Sequence, residues 1–194
     1  MRSCPYKGVN LSADNPRFIR HLRAGRKSAF NELVLGFKDR VFNTAYRFLG
    51  DWQEANDLAR EVFLSANRNI RSFRPESNLS SWIYRNTLNS CKDRLKLRES
   101  LKKITGVEFE GAQNLRFRDM PHRLFGKKEM ELSVQAAIMA LPEECKEVVL
   151  LRDIEGLSCG QIAEILGIEN DTVKLRLSRA RSALKDSLGG VIDA

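Results

Sequence analysis

Five cations and no acid fall between Thr172 and Lys185: Lys174, Arg176, Arg179, Arg181 and Lys185. On a helix, Val173, Leu177, Ala180 and Leu184 share one side at positions i, i+4, i+7 and i+11. Lys174, Ser178, Arg181 and Lys185 line another, flanked by Arg176 and Arg179. An apolar back with a basic, donor-rich front is the chemistry of major-groove entry. Ammonium and guanidinium groups reach phosphates and base edges while the stripe seats the helix on its own domain. No competing chemistry stands out. The chain has no Gly-rich phosphate loop, no nucleophile elbow and no metal-ligand cluster. Glu143 and Glu144 form an acidic pair, but they sit where a helix start explains them.

Cysteine and histidine usage points the same way. Cys4, Cys91, Cys145 and Cys159 include no Cys-x-x-Cys pair, and only His21 and His122 accompany them. A zinc site of ordinary spacing is excluded, no cofactor is implied, and the thiols read as scattered and reduced. No stretch approaches the ~18 apolar residues that a membrane span needs, and Met1–Ser12 lacks an apolar core for a signal peptide. A cytoplasmic chain without membrane insertion is expected. Of its 194 residues, 33 are Lys or Arg and 25 Asp or Glu, a net charge of +8. The excess is uneven: 26 basic and 14 acidic residues precede residue 130, and 7 basic and 11 acidic follow. A basic strip on an acidic domain suggests a targeted contact with a polyanion.

The elements that must position this strip are helical throughout, so the expected fold class is all-α, in two small domains joined by a long linker. Phe30, Leu33, Val34, Phe37, Val41, Ala45 and Phe48 give one helical stripe, which Gly50-Asp51 ends. Ala55, Leu58, Ala59, Val62, Phe63, Ala66 and Ile70 give a second. A polar loop containing Pro75 follows, then a third helix starting near Leu79–Ser81, with Asn78 or Ser80 as cap. It carries Trp82, Ile83, Thr87, Cys91 and Leu95 on one side. No alternating run argues for a strand. The period is lost over residues 99–129, which read as a linker. Past it, Val134, Ala137, Ile138 and Leu141 resume it. Pro142 suits the first turn of the next helix, which ends near Gly156. Ser158 and Gln161 have the capping-box form, and Asn170 suits the cap of the last helix.

Between Leu157 and Leu177 the pattern is that of a helix-turn-helix. Ala163 is small where one helix crosses the other, Gly167 suits a turn with positive φ, and Val173 plugs the gap. Ile162, Leu166 and Ile168 complete the core. The expected division is an extension over 1–14, a first domain over 15–98, a linker over 99–129, a second domain over 130–188 and a tail over 189–194.

Two motif sets in this order resemble the extracytoplasmic-function (group 4) sigma factors of the sigma-70 family. Leu141-Pro142-Glu143, Leu150-Leu151-Arg152-Asp153-Ile154-Glu155-Gly156-Leu157-Ser158, Ile162-Ala163-Glu164-Ile165-Leu166-Gly167 and Thr172-Val173-Lys174 look like region 4. Asp57-Leu58, Glu61-Val62-Phe63, Ser72-Phe73-Arg74 and Trp82-Ile83-Tyr84-Arg85 look like region 2. The resemblance implies a transcription initiation factor, not an enzyme, that directs core RNA polymerase to promoter DNA. It assigns Asp57, Leu58, Arg60, Glu61 and Phe63 to the β′ clamp helices, with Arg60 standing where the family usually has Gln. Region 4 would meet the β flap. Phe73, Arg74 and Asn78 would surround a flipped −10 base, and Trp82, Tyr84, Arg85, Asn89 and Lys92 would track the melted strand. At −35, Lys174, Leu175, Ser178 and Arg179 would face bases, while Arg152, Thr172 and Arg176 position or support. An anti-sigma partner is implied as well. From the residues alone a second reading stays open, a stand-alone two-domain helix-turn-helix regulator that binds DNA without polymerase.

Overall fold

The computed structural model describes residues 15–74, 78–106 and 128–192, and among these every regular element is a helix. Local signals set most boundaries. Helix α1 spans Pro16–Arg23, with Asn15 accepting from the Arg17 amide and proline in the first turn. Helix α2, Lys27–Leu49, stops at Gly50, whose φ of 75° lets its amide return to the Tyr46 carbonyl. Asp51 then caps α3, Trp52–Asn69, through a 2.7 Å bond from the Glu54 amide. A single 3₁₀ turn, Ile70–Ser72, follows. Asn78 caps α4, Leu79–Thr105, the longest helix at 27 residues.

In the first domain α2, α3 and α4 pack around Leu33, Phe37, Val41, Phe48, Leu58, Val62, Ile83 and Leu88, all buried. Arg98 ties the far end, pairing with Glu54 at 2.6 Å and donating to the Leu49 carbonyl at 3.1 Å. That carbonyl belongs to the last turn of α2, which has no partner within the helix.

In the second domain α5 (Lys128–Ala140) precedes α6 (Glu143–Val149), α7 (Cys159–Leu166) and α8 (Asn170–Ile192). Helix α6 continues into one wide turn, Leu150–Ile154, where the Glu155 amide bonds to the Leu150 carbonyl five residues back. The predicted capping box is present: Ser158 accepts from the Gln161 amide and Gln161 accepts from the Ser158 amide.

Three expectations shift in register or extent. Pro142 is the cap residue of α6, one place ahead of its first turn, because its ψ of 144° is extended. Asn170 is the first residue of α8; the helix's first backbone bond runs from Val173 to the Glu169 carbonyl. The linker expected over 99–129 is helical as far as Thr105 and again from Lys128, so α4 outlasts its domain by two turns. Residues 1–14 and 107–127 lie outside the described residues.

The two domains are packed together. Their buried residues form one contiguous apolar cluster, with α4 lying against α7 and α2 against α5.

Candidate nucleic-acid interface

The last helix carries its expected polarity. Val173, Leu177 and Ala180 are buried, whereas Lys174, Leu175, Ser178, Arg179, Arg181 and Lys185 are exposed. Gly167 adopts φ +68°, and its amide bonds to the Ala163 carbonyl, which fixes the turn ahead of the helix. Leu175 is 51% exposed, an apolar side chain offered to solvent on the basic face.

Several cations on or near that face arrive paired. Lys174 lies 2.9 Å from Asp171, which raises the lysine and lowers the acid, first through their hydrogen bond and then through charge. Arg181 pairs with Asp153 through two bonds, at 2.5 and 3.2 Å, and is raised for the same reasons. Arg176 is 3.0 Å from Glu144 at the start of α6. Arg152 turns inward and donates to the Leu157 carbonyl at 2.8 Å, so it braces the approach to α7. Thr172 is half-buried at the rim.

The residues expected to meet the −10 element divide by burial. Arg74, Arg85 and Asn89 are exposed, and Trp82 and Lys92 are half-buried. Asn78 spends its side-chain oxygen on the Ser81 amide. Phe73 departs from expectation. It is 2% exposed, with its ring edge-on to Trp82 at 5.6 Å, so it supports the loop from below and has no free face for a base. Tyr84 is also buried, at the seam between the domains, and its hydroxyl donates to the Glu155 carboxylate. Burial first, then the neighbouring carboxylate, push the phenol far above its ordinary range. Burial likewise raises Glu155, against the opposing pull of Tyr84, Arg40 and Thr44.

On α3, Asp57, Arg60 and Glu61 share an exposed face. Glu61 is held there by Arg94 at 2.9 Å to both of its oxygens. Leu58 and Phe63 do not join them: both are buried, because their positions fall on the core stripe with Ala55, Val62 and Ala66. Leu64, 55% exposed, does join. It lies three residues after Glu61, four after Arg60 and seven after Asp57. The signal was available, since Leu64 falls off the buried stripe.

Comparisons with known proteins show the family of the chain. The Sigma-70 region 2 model matches residues 33–100 and the Sigma-70, region 4 model matches residues 131–184. The RNA polymerase sigma-H factor of Pseudomonas aeruginosa is 33% identical over 178 residues, covering 89% of this chain and 92% of its own. The chain belongs to the sigma-70 family, as an extracytoplasmic-function sigma factor. The SigW sigma factor of Bacillus subtilis is 32% identical, with 88% and 94% covered. Two solved structures share the fold. CnrH, solved with the cytosolic domain of CnrY, has a TM-score of 0.68 at 22% identity, with 91% of this chain and 98% of that chain covered. The Bartonella quintana sigma factor RpoE, solved with the anti-sigma factor NepR, has a TM-score of 0.70 at 24% identity, with 82% and 96% covered.

For a sigma factor, then, helices α2–α4 form region 2, and α5–α8 form region 4 with its helix-turn-helix. Among the described residues no group of acids, cysteines and histidines is arranged to hold a metal ion, and no helix is long and apolar enough to cross a membrane. Cys91 and Cys145 are buried free thiols and Cys159 is half-buried. Desolvation pushes the Cys91 thiol up to about 12.

Proposed function

We propose that this sigma factor directs core RNA polymerase in the cytoplasm, reading −35 duplex with α8 and capturing the melted −10 strand with the exposed groups of α4. The polarity of α8 carries the reading, because its buried stripe leaves Lys174, Leu175, Ser178 and Arg179 on the opposite side. Lys174 and Arg179 serve as donors to base edges, and Leu175 packs on a thymine methyl. Arg152, Thr172 and Arg176 position the helix, two of them through bonds within the domain. On α4, Arg85, Asn89 and Lys92 track the strand, Trp82 supplies a stacking edge, and Arg74 and Asn78 flank the extruded base. Tyr84 joins them once its seam opens.

The polymerase contact is assigned to the exposed face of α3, Asp57, Arg60, Glu61 and Leu64, against the β′ clamp helices, with region 4 on the β flap. Leu58 and Phe63 support that face from the core. The factor contributes no catalysis of its own. Its relatives CnrH and RpoE were solved with CnrY and the anti-sigma factor NepR, which supports an anti-sigma partner here too.

Transcription with core polymerase on a genomic fragment library, with start sites mapped, tests this reading. The wild type is expected to impose discrete start sites, and the Lys174→Ala/Arg179→Ala variant to lose those that depend on a −35 element. Unchanged transcription by that variant removes the assignment of α8.

A further inference from the structure

Two acid-free runs of the chain meet at one end of the first domain. Residues 16–31 hold Arg17, Arg20, Arg23, Arg26 and Lys27, and residues 62–74 hold Arg68, Arg71 and Arg74; neither run contains an aspartate or a glutamate. All eight cations are exposed. Packing brings the runs together. Phe18, Ile19 and Leu22 of α1 enter the same apolar core as Ile70 and Phe73 of the turn after α3. Arg23 reaches across and donates to the Arg71 carbonyl at 3.3 Å. In both runs the arginines recur at every third position. On α1 each such step advances ~4.5 Å and swings only ~60° about the axis, so Arg17, Arg20 and Arg23 stay on the side away from the buried stripe.

Elsewhere the protein sets its cations against acids, as in Arg94 with Glu61, Arg98 with Glu54 and Arg181 with Asp153. Among the described residues none of these eight lies in an ion pair. Arg68 bonds only to the Leu64 carbonyl of its own helix, at 3.3 Å. Like charges gathered this way repel one another, so the concentration does nothing for the fold and is offset only by an anion from outside. The patch is a poor fit to another protein. Interfaces between proteins centre on buried apolar and aromatic anchors. Here Phe18, Ile19, Leu22, Ile70 and Phe73 are all turned into the core, and no large apolar side chain of either run is exposed apart from Leu64 at the polymerase face. A row of cations without apolar anchors suits a phosphate backbone, which offers charge at every residue and no apolar surface.

We propose that α1 and the turn after α3 form a phosphate track that carries the melted DNA strand onward from the extruded base. Arg74 stands where the track meets the −10 site. Arg71, Arg23, Arg20, Arg17 and Arg26 hold the backbone beyond it, on the side of the loop away from α4. This rests on the assignment of Arg74 and Asn78 to the extruded base. The track reads no sequence, because its cations meet phosphates and not base edges. Its work is positional: a strand held on both sides of the loop presents one base to it, whereas a strand held only along α4 is free to slide or swing away.

The test uses the full chain and two fluorescein-labelled single DNA strands of one mixed sequence, one with ordinary phosphates and one with uncharged methylphosphonate links. Arg17, Arg20 and Arg26 are exposed and form no ion pair among the described residues, so Arg17→Gln/Arg20→Gln/Arg26→Gln removes charge and leaves the core intact. Anisotropy is expected to show affinity for the ordinary strand down by about tenfold or more in this variant. On the methylphosphonate strand the variant and the wild type are expected to bind alike. Arg17→Lys/Arg20→Lys/Arg26→Lys keeps three point charges and is expected to recover most of the loss. Unchanged affinity in the glutamine variant overturns the track, and so does a loss that lysine does not repair. A glutamine variant that binds the strand normally but no longer co-elutes with core polymerase also overturns it, in favour of an acidic face of the enzyme. A failed −10 assignment looks different: Arg74→Ala/Asn89→Ala leaves strand affinity unaltered while the glutamine variant still lowers it, and the patch is then a strand site apart from any extruded base.

Discussion

Arg179 and Lys185 both stand exposed on the basic front of α8, and the proposed reading gives them different ends. A guanidinium at a base edge discriminates between bases, whereas an ammonium on a phosphate does not. Arg179→Ala is expected to cost about 1–3 kcal/mol at cognate promoters and to relax preference at one position. Lys185→Ala is expected to weaken binding evenly across sequences, and promoter-variant binding curves separate the two. Glu155 gives a pH prediction. Its proton is held more tightly in the closed protein because burial raises its pKa. The resulting stability is complete below the ordinary carboxylate range and is lost as pH rises through the raised value. Scattering between neutral and mildly acidic pH should show the wild type tightening as pH falls, and Glu155→Gln should flatten the profile. Residue by residue, the front of α8 was legible because helical period and burial agree there. The burial of Leu58, Phe63 and Phe73 was not legible for one reason: a motif match names a position, whereas packing across elements decides which way an aromatic or aliphatic side chain faces.

At the level of elements, caps and breakers carried most of the information. Gly50, Asp51, Asn78, Ser158 and Gly167 all act where the sequence places them. Gly167 is the most exacting. A Cβ there meets open space, so the cost of Gly167→Ala is purely conformational, about 1–2 kcal/mol for a left-handed residue with a side chain. Thermal denaturation should show that loss, and −35 duplex binding should fall with it because the turn sets the angle of α8. Less legible was the end of α4. Among the described residues its last two turns carry no buried apolar stripe: Leu101 and Ile104 are 36% and 80% exposed. Composition there resembles a linker, and the helix continues through favourable residues and a glycine cap at Gly106.

For the molecule as a whole, the packing of the two domains left no trace in the sequence. Five hydrogen bonds across the seam join residues 71 to 89 positions apart, and four of them end on backbone carbonyls. A carbonyl accepts whatever side chain it belongs to, so no motif records it. Cys91 offers a reporter of the whole. It is fully buried on α4, and Glu147 and Lys146 of region 4 are among the charges acting on its thiol. Alkylation of Cys91 should be slow in the wild type and faster in a Gln135→Ala/Glu155→Ala variant, which lacks the seam bonds of those two residues, with half-buried Cys159 as internal standard. Equal Cys91 rates in both proteins would count against separation of the domains.

The carboxylates beside the basic front of α8 have a thermodynamic consequence. Asp171, Asp153 and Glu144 already neutralise Lys174, Arg181 and Arg176 before any DNA arrives. In the proposed complex, each contact that one of these cations makes with DNA exchanges a protein carboxylate for an oxygen of the DNA, and the released carboxylate must recruit its own small ions. The ion release that normally drives binding to a polyanion is partly cancelled. The logarithm of −35 affinity should therefore fall less steeply with the logarithm of salt than the number of cations on the helix predicts. Asp153→Asn and Asp171→Asn together should restore the steeper slope.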